Sequence, residues 1–323
     1  MQKIPTQFSI LAVLLLTASH TKGQEPHYAG VQSMNIWYNP SLKIDKIVRA
    51  HIAFRSVKYP NIISYSSKAL SLEVPLVNKK ETDYENSYFF SFALGICADN
   101  ASENYMNAST AMLSLSYALP LSNGGTYLAL GFQGNYSFNR VGNGYSTSLP
   151  DQFDKTGAVY AARIKDPFES GYSRGYFTPS AGISAFHSGQ REQWYVGLSV
   201  RNFTHPYTEW NYSVRLPSNF GIQGGYTFPI SNSSEISGYG NFTWQTNMNE
   251  HFIGTRYIRH FGDSTDNAFS LGVGYRFGNA LVPQVGIQIG RSKLLFYYEL
   301  AVSKFPSSNY RRKAYEISFT QDF

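Results

Sequence analysis

The sequence predicts a transmembrane antiparallel β-barrel of the outer membrane, with about fourteen strands, and three observations carry that expectation. Apolar residues recur with period two over segments long enough to cross the hydrocarbon layer at a tilt. The alternate positions of those segments are small or polar, as the inner face of a barrel requires. The chain finishes on an amphipathic run that ends in Phe323, the kind of terminal strand that serves as a barrel-insertion signal.

The elements follow in order. Residues 1–23 read as a signal peptide: Lys3 is positive, Ile10–Leu16 is a short apolar core, and Thr21 and Gly23 are the small residues before a cleavage point. That core is too short to span a bilayer. Residues 24–45 then read as an N-terminal periplasmic segment, and 46–323 as the barrel. Period-two alternation marks strands at 46–57, 61–74, 88–98, 107–119, 126–138, 177–187, 193–203, 219–228, 235–246, 251–261, 268–277, 282–290, 294–303 and 313–323. In the fifth, Leu128, Leu130, Phe132, Tyr136 and Phe138 share one face, and Ala129, Gly131, Gln133, Asn135 and Ser137 share the other. Strands of a soluble sandwich are usually shorter, about five or six residues.

The connections alternate in length. With both ends in the periplasm, the turns at 120–125, 188–192, 229–234, 262–267 and 290–293 are short and rich in Gly, Asn, Ser and Pro. The long connections 139–176, 204–218 and 304–312 fall on the outer side. The connection at 75–87 is a long periplasmic turn.

Composition narrows the function. Only 15% of residues are charged while 16% are aromatic, and outside the leader no apolar run is long enough for a transmembrane helix. With Lys3 and Lys22 removed, 25 basic residues face 21 acidic ones, scattered except for Arg311, Arg312 and Lys313, which read as an exposed loop. Nothing there suggests nucleic acid. The lone Cys97 excludes an internal disulfide and reads as a small buried or lipid-facing side chain. No Cys/His spacing suggests a metal, and no cofactor fingerprint is present: the glycines at 272 and 274 fall within a strand, not at the start of a helix. His187 and Ser188 are adjacent, but neighbours on a strand point to opposite faces, so no catalytic residue is expected.

Two groups remain. Arg201, Arg256, Arg276, Glu299 and Glu316 fall on the inner face, where buried charges need counter-charges, so Glu299 and Glu316 are expected to partner Arg256 or Arg276. The loop 139–176 carries Arg140, Asp151, Gln152, Phe153, Asp154 and Arg163, and is expected to plug the lumen or to face a partner.

Several segments, taken in order, resemble the PorP/SprF family of type IX secretion system membrane proteins. They are QEPHYAGVQSMNIWYNPSL (24–42) with its Asn39-Pro40 step, Phe54-Arg55, LSLSYALPL (113–121), LPDQFD (149–154) and YVGLSVRNF (195–203). GTRYIRHFG (254–262), LGVGYRFG (271–278) and AYEISFTQDF (314–323) follow. The sequence departs from the family where Pro40 is followed by Ser41-Leu42 instead of Ala-Tyr. The resemblance implies a non-enzymatic outer-membrane barrel that binds and anchors a secreted surface protein or gliding adhesin through its C-terminal signal domain and supports its secretion. It further implies contact with periplasmic secretion-ring components, through 24–42 and 75–87. The competing expectation is a passive or substrate-selective channel, since about fourteen strands can enclose a pore.

Overall fold

The computed structural model describes residues 28–59, 63–77, 87–101, 106–122, 125–141, 172–189, 192–207, 215–246, 248–262, 266–302 and 312–323. Fourteen strands are formed: β1 (Arg49–Tyr59), β2 (Ile63–Leu76), β3 (Phe89–Ala101), β4 (Met106–Ser122), β5 (Thr126–Val141), β6 (Tyr172–Ser188), β7 (Gln193–Arg201), β8 (Asn219–Ser231), β9 (Ser234–Gln245), β10 (Met248–His260), β11 (Ala268–Arg276), β12 (Ala280–Ile289), β13 (Ser292–Ala301) and β14 (Lys313–Asp322). Each pairs antiparallel with its sequence neighbours, and β1 closes on β14 from Arg49↔Asp322 to Lys58↔Lys313. The Arg49–Asp322 ion pair at 2.6 Å and the hydrogen bond from Phe323 N to Val48 O at 2.9 Å fasten that seam at the end where the chain enters and leaves.

Alternation decides which way the wall faces. Leu128, Leu130, Phe132, Tyr136 and Phe138 are all exposed, Phe132 at 67%, whereas Ala129, Gln133, Asn135 and Ser137 are buried. Large apolar side chains arranged outward all the way round would be anomalous in water. Lipid solvates them instead, while the polar face lines the interior. Aromatic rings cluster at both ends of the wall. Phe90 lies 4.7 Å from Tyr117 near the short turns, and Trp244 lies 5.3 Å from His251 near the long connections. Such girdles mark the two bilayer interfaces. No described helix is long and apolar enough to cross a membrane.

Proline marks where the ladders loosen. The register slips between Pro120 and Ser122 in β4 and between Pro229 and Ser231 in β8, since a proline cannot donate to its neighbour. Both strands nevertheless run past the expected boundaries, so the turns shrink to 123–125 and 232–233. The larger correction is on the outer side. β5 and β6 extend to Val141 and back from Tyr172, so the loop expected at 139–176 is shortened at both ends.

Candidate functional site

Fourteen strands enclose more space than wall side chains can fill. The chain fills it with its own N-terminal segment. The segment 24–45, expected in the periplasm, lies inside the barrel over 28–44, the part that the structure describes. A 3₁₀ turn at Val31–Met34 runs into one α-turn at Asn35–Tyr38. Tyr28, Val31, Met34 and Tyr38 are buried against Cys97, Phe252, Leu295 and Tyr297 of the wall, Ile36 against Ala93 and Met112, and Leu42 among Phe89, Tyr127 and Phe186. These apolar groups explain the location: a short segment this rich in them loses most from exposure to water.

Polar contacts fix the plug at three levels. At its N-terminal end, Ala29 N and Gly30 N donate to the two carboxylate oxygens of Glu316 at 2.6 and 2.9 Å. Glu316 is 1% exposed, and a Cβ on Gly30 would sit 2.9 Å from its Oε1, so the grip needs glycine. Next to it, Arg256 donates to Gln32 Oε1 at 2.6 Å, and Gln32 Nε2 donates to Ser237 at 3.0 Å. Tyr28 Oη meets Cys97 Sγ at 3.4 Å. Burial and the Cys97 neighbour push the Tyr28 phenol up, and burial pushes that of Tyr38 up to about 12, so both stay neutral.

Midway, Asn39-Pro40-Ser41 makes an Asx turn, with Ser41 N donating to Asn39 Oδ1 at 3.0 Å. Asn39 Nδ2 reaches Leu198 O and Gln223 Oε1 at 3.2 and 3.1 Å, and Ser184 Oγ donates to Ser41 O at 2.9 Å. The wall opposite is glycine. A Cβ on Gly131 would lie 2.4 Å from the Pro40 carbonyl carbon, and side chains at 182 and 197 would strike Asn39.

Where the segment leaves the lumen, Lys43 pairs with Asp45 at 2.5 Å and Glu73 at 3.4 Å, and Asp45 also pairs with Arg49 at 2.8 Å. Burial alone would raise the Asp45 carboxyl; Arg49 and Lys43 outweigh it and hold the group down at about 2. Lys46 caps this end, 5.4 and 5.3 Å above the Phe89 and Tyr127 rings.

Towards the long connections lies a charge cluster. Glu299 accepts from Arg55 at 2.9 Å, from Arg276 at 3.3 Å and from Arg312, while Arg276 also pairs with Glu250. Arg312 thus turns inward instead of lying in an exposed loop, because Glu299 offers it a buried counter-charge; Lys313 is exposed and Arg311 is outside the described residues. Of the two expected partnerships, Arg276 is the one that meets Glu299. Arg256 serves the plug, Glu316 holds plug amides, and Arg201 stands close enough to act on Tyr38.

Arg140 is exposed at the outer end of β5, opposite Ser173. Asp151, Gln152, Phe153, Asp154 and Arg163 lie outside the described residues, as do the leader and residues 78–86. Phe323 is exposed beside Val48. Cys97 faces the plug and not lipid. The three-Arg cluster could have been approached from strand parity for Arg55, but not which residues meet across the lumen. Among the described residues no group of three or more His, Cys, Asp or Glu is placed to hold a metal.

Among solved structures, the chain is similar to a Pseudomonas aeruginosa FadL homologue, at 9% identity over 88% of this chain and 92% of that one, with a TM-score of 0.53. A deletion mutant of TodX, a monoaromatic hydrocarbon channel, matches at 7% identity over 89% and 92%, with a TM-score of 0.50. At such identities the likeness is one of fold. No curated protein matches the chain. The model of the PorP/SprF family matches residues 21–320, nearly the whole length. A closed barrel with a lipid-facing wall, matched end to end by that model, belongs to the PorP/SprF family of type IX secretion system membrane proteins and resides in the outer membrane.

Proposed function

We propose that this protein is a plugged outer-membrane platform: it binds a secreted surface protein through that protein's C-terminal signal domain and supports its secretion and anchoring. The role is non-enzymatic. Cargo is held outside, by the connections 142–171 and 202–218, while the periplasmic rim around 77–88 and the entry of the plug meet secretion-ring components.

The observation that carries this reading is the filled lumen. Residues 28–44 occupy it, tied to β14 through Glu316, to β10 through Arg256 and to β8 through Gln223. A barrel stoppered by its own chain offers a rigid surface in place of a conduit. Two experiments test it. Deleting the gene is expected to release a signal-domain protein from the cell surface into the medium; an unchanged surface proteome would count against anchoring. In planar bilayers the purified barrel is expected to give no stable open pore. A steady conductance would favour the channel reading instead.

A further inference from the structure

β6 runs for 17 residues but β7 for only 9. Their ladder begins at Ser180↔Arg201, so Tyr172–Thr178 are paired on one side alone, to β5, from Val141↔Tyr172 to Asn135↔Thr178. The end of β7 is built into the sequence. Asn202 takes a left-handed φ of 60°, which asparagine tolerates, and gives its N–H to Pro179 O at 3.1 Å. His205 repeats the left-handed turn at φ 47° and the chain departs.

That hydrogen bond sets the polarity of the vacated edge. Pro179 O points to the β7 side, and backbone groups of alternate strand residues share a side. The N–H and C=O of Ser173, Gly175 and Phe177 therefore line the open edge. All three residues are exposed, Phe177 at 58%, and no described strand pairs with them on the β7 side. Pro179 lacks a donor at the point where β7 has stopped supplying acceptors.

Natural sheets blunt such edges with lysine, proline or a bulge. Residues 172–177 read Tyr-Ser-Arg-Gly-Tyr-Phe, without Lys or Pro, and the β5–β6 register is unbroken. Six residues match the length of one ordinary strand, roughly 20 Å. The projecting sheet has its own chemistry. Tyr136 and Phe177, directly paired, are both exposed on the outward face. Arg140 is exposed and is the charged residue of 134–141, a stretch that holds no acidic residue.

We infer that this edge takes an extended, acidic strand of the secreted surface protein by sheet augmentation, with apolar side chains continuing the Tyr136–Phe177 face. The inference rests on the anchoring function proposed above and names its contact. Hydrogen bonds to Ser173, Gly175 and Phe177 supply sequence-independent grip, and Arg140 favours acidic segments.

The test places a photo-reactive phenylalanine analogue at position 177 of the full chain in intact cells. The expected adduct is a secreted protein carrying the C-terminal signal domain. Ser173→Pro deletes an N–H on the open side and none on the β5 side. It is expected to cut the adduct by about tenfold, the worth of one backbone hydrogen bond, and to shed that protein into the medium. Ser173→Ala retains both. Arg140→Glu leaves every backbone bond in place and is expected to cut the adduct by a similar factor, about tenfold, which keeps the test decisive should the proline variant misfold. No adduct, an adduct within the chain or between two copies, or an adduct indifferent to both variants overturns the assignment. Gene deletion separates the two ideas. Release on deletion but not with either variant sinks the edge and leaves anchoring intact; an adduct lost in both variants without release on deletion does the reverse.

Discussion

Glu316→Gln is expected to loosen the plug without opening the wall. In the native protein one carboxylate receives two consecutive amides, Ala29 N at 2.6 Å and Gly30 N at 2.9 Å. Hydrogen bonds to a charged partner contribute about 1.5–3 kcal/mol each. Glutamine keeps one oxygen for one amide and turns an NH₂ towards the other, so one such bond is lost and the second weakened. Removing a buried charge returns part of that loss, because the carboxylate no longer has to be desolvated. A net cost of about 2 kcal/mol remains, equivalent to a rise of about 30-fold in the population with its plug displaced. The molecule carries its own reporter. Cys97 is the lone cysteine, 4% exposed and covered by Tyr28, one residue before the gripped amides. A small thiol reagent should therefore modify Cys97 about 30-fold faster in the variant, in proportion to that population. Unboiled electrophoretic mobility would show that the fourteen-strand wall remains closed. An unchanged labelling rate with an intact wall would refute the role given to Glu316.

Three further outcomes are expected. Glu299→Ala strands Arg55, Arg276 and Arg312 without their shared carboxylate, at a cost of about 3–5 kcal/mol, and should lower the temperature at which the barrel loses its heat-resistant mobility; an unshifted midpoint would discredit the cluster as a stabilising element. Gly131→Val sends a side chain into Pro40 while leaving the β5 ladders intact, so conductance steps should appear in planar bilayers where the native protein is silent. Asp45, held at about 2 against an ordinary 3.8, binds its proton more weakly folded than unfolded. Its contribution, about 2 kcal/mol, is complete above about pH 4 and vanishes as the pH falls through about 2. Labelling of Cys97 by an acid-active dipyridyl disulfide, relative to an unfolded control at the same pH, should rise as the pH falls through that window, and Asp45→Asn should flatten the profile.

The wall was legible because lipid imposes a rule on every second residue. Wherever a strand crosses hydrocarbon, one face must be apolar, and Leu128, Leu130 and Phe132 announce this without any knowledge of their neighbours. The rule lapses outside the bilayer. Asn139, Ser173 and Gly175 need no apolar alternation to pair through the backbone ladder, so the outer extension of β5 and β6 carries no such signal and reads as loop. The plug leaves no local signal for a related reason. Residues 28–42 have no period, and their apolar content says that they are buried but not where. A fourteen-strand lumen that needs filling is the missing premise. Strand parity sends Arg276, Glu299 and Glu316 inward, yet which of them meet depends on the stagger of the whole barrel. Glu316 faces the plug and Glu299 gathers three arginines, a distinction that no local pattern encodes.

A strand added to β6 would pull on the part of the wall best placed to resist. Antiparallel hydrogen bonds run across the strands, so a force along β6 loads its ladder in shear, all pairs together, where peeling would load them singly. The β5–β6 ladder runs unbroken from Thr126↔His187 to Val141↔Tyr172, whereas the β6–β7 ladder stops at Ser180↔Arg201. The open edge therefore sits on the strand with the longest backing on its other side. The plug adds ties across the lumen: Ser184 of β6 holds Ser41, Gln223 of β8 holds Asn39, and Glu316 of β14 holds Ala29 and Gly30. Walls joined through one short segment cannot flatten without breaking it. A conduit would gain nothing from such bracing, since it obstructs the passage. A protein that must keep its shape while something outside pulls on one edge gains from both features at once.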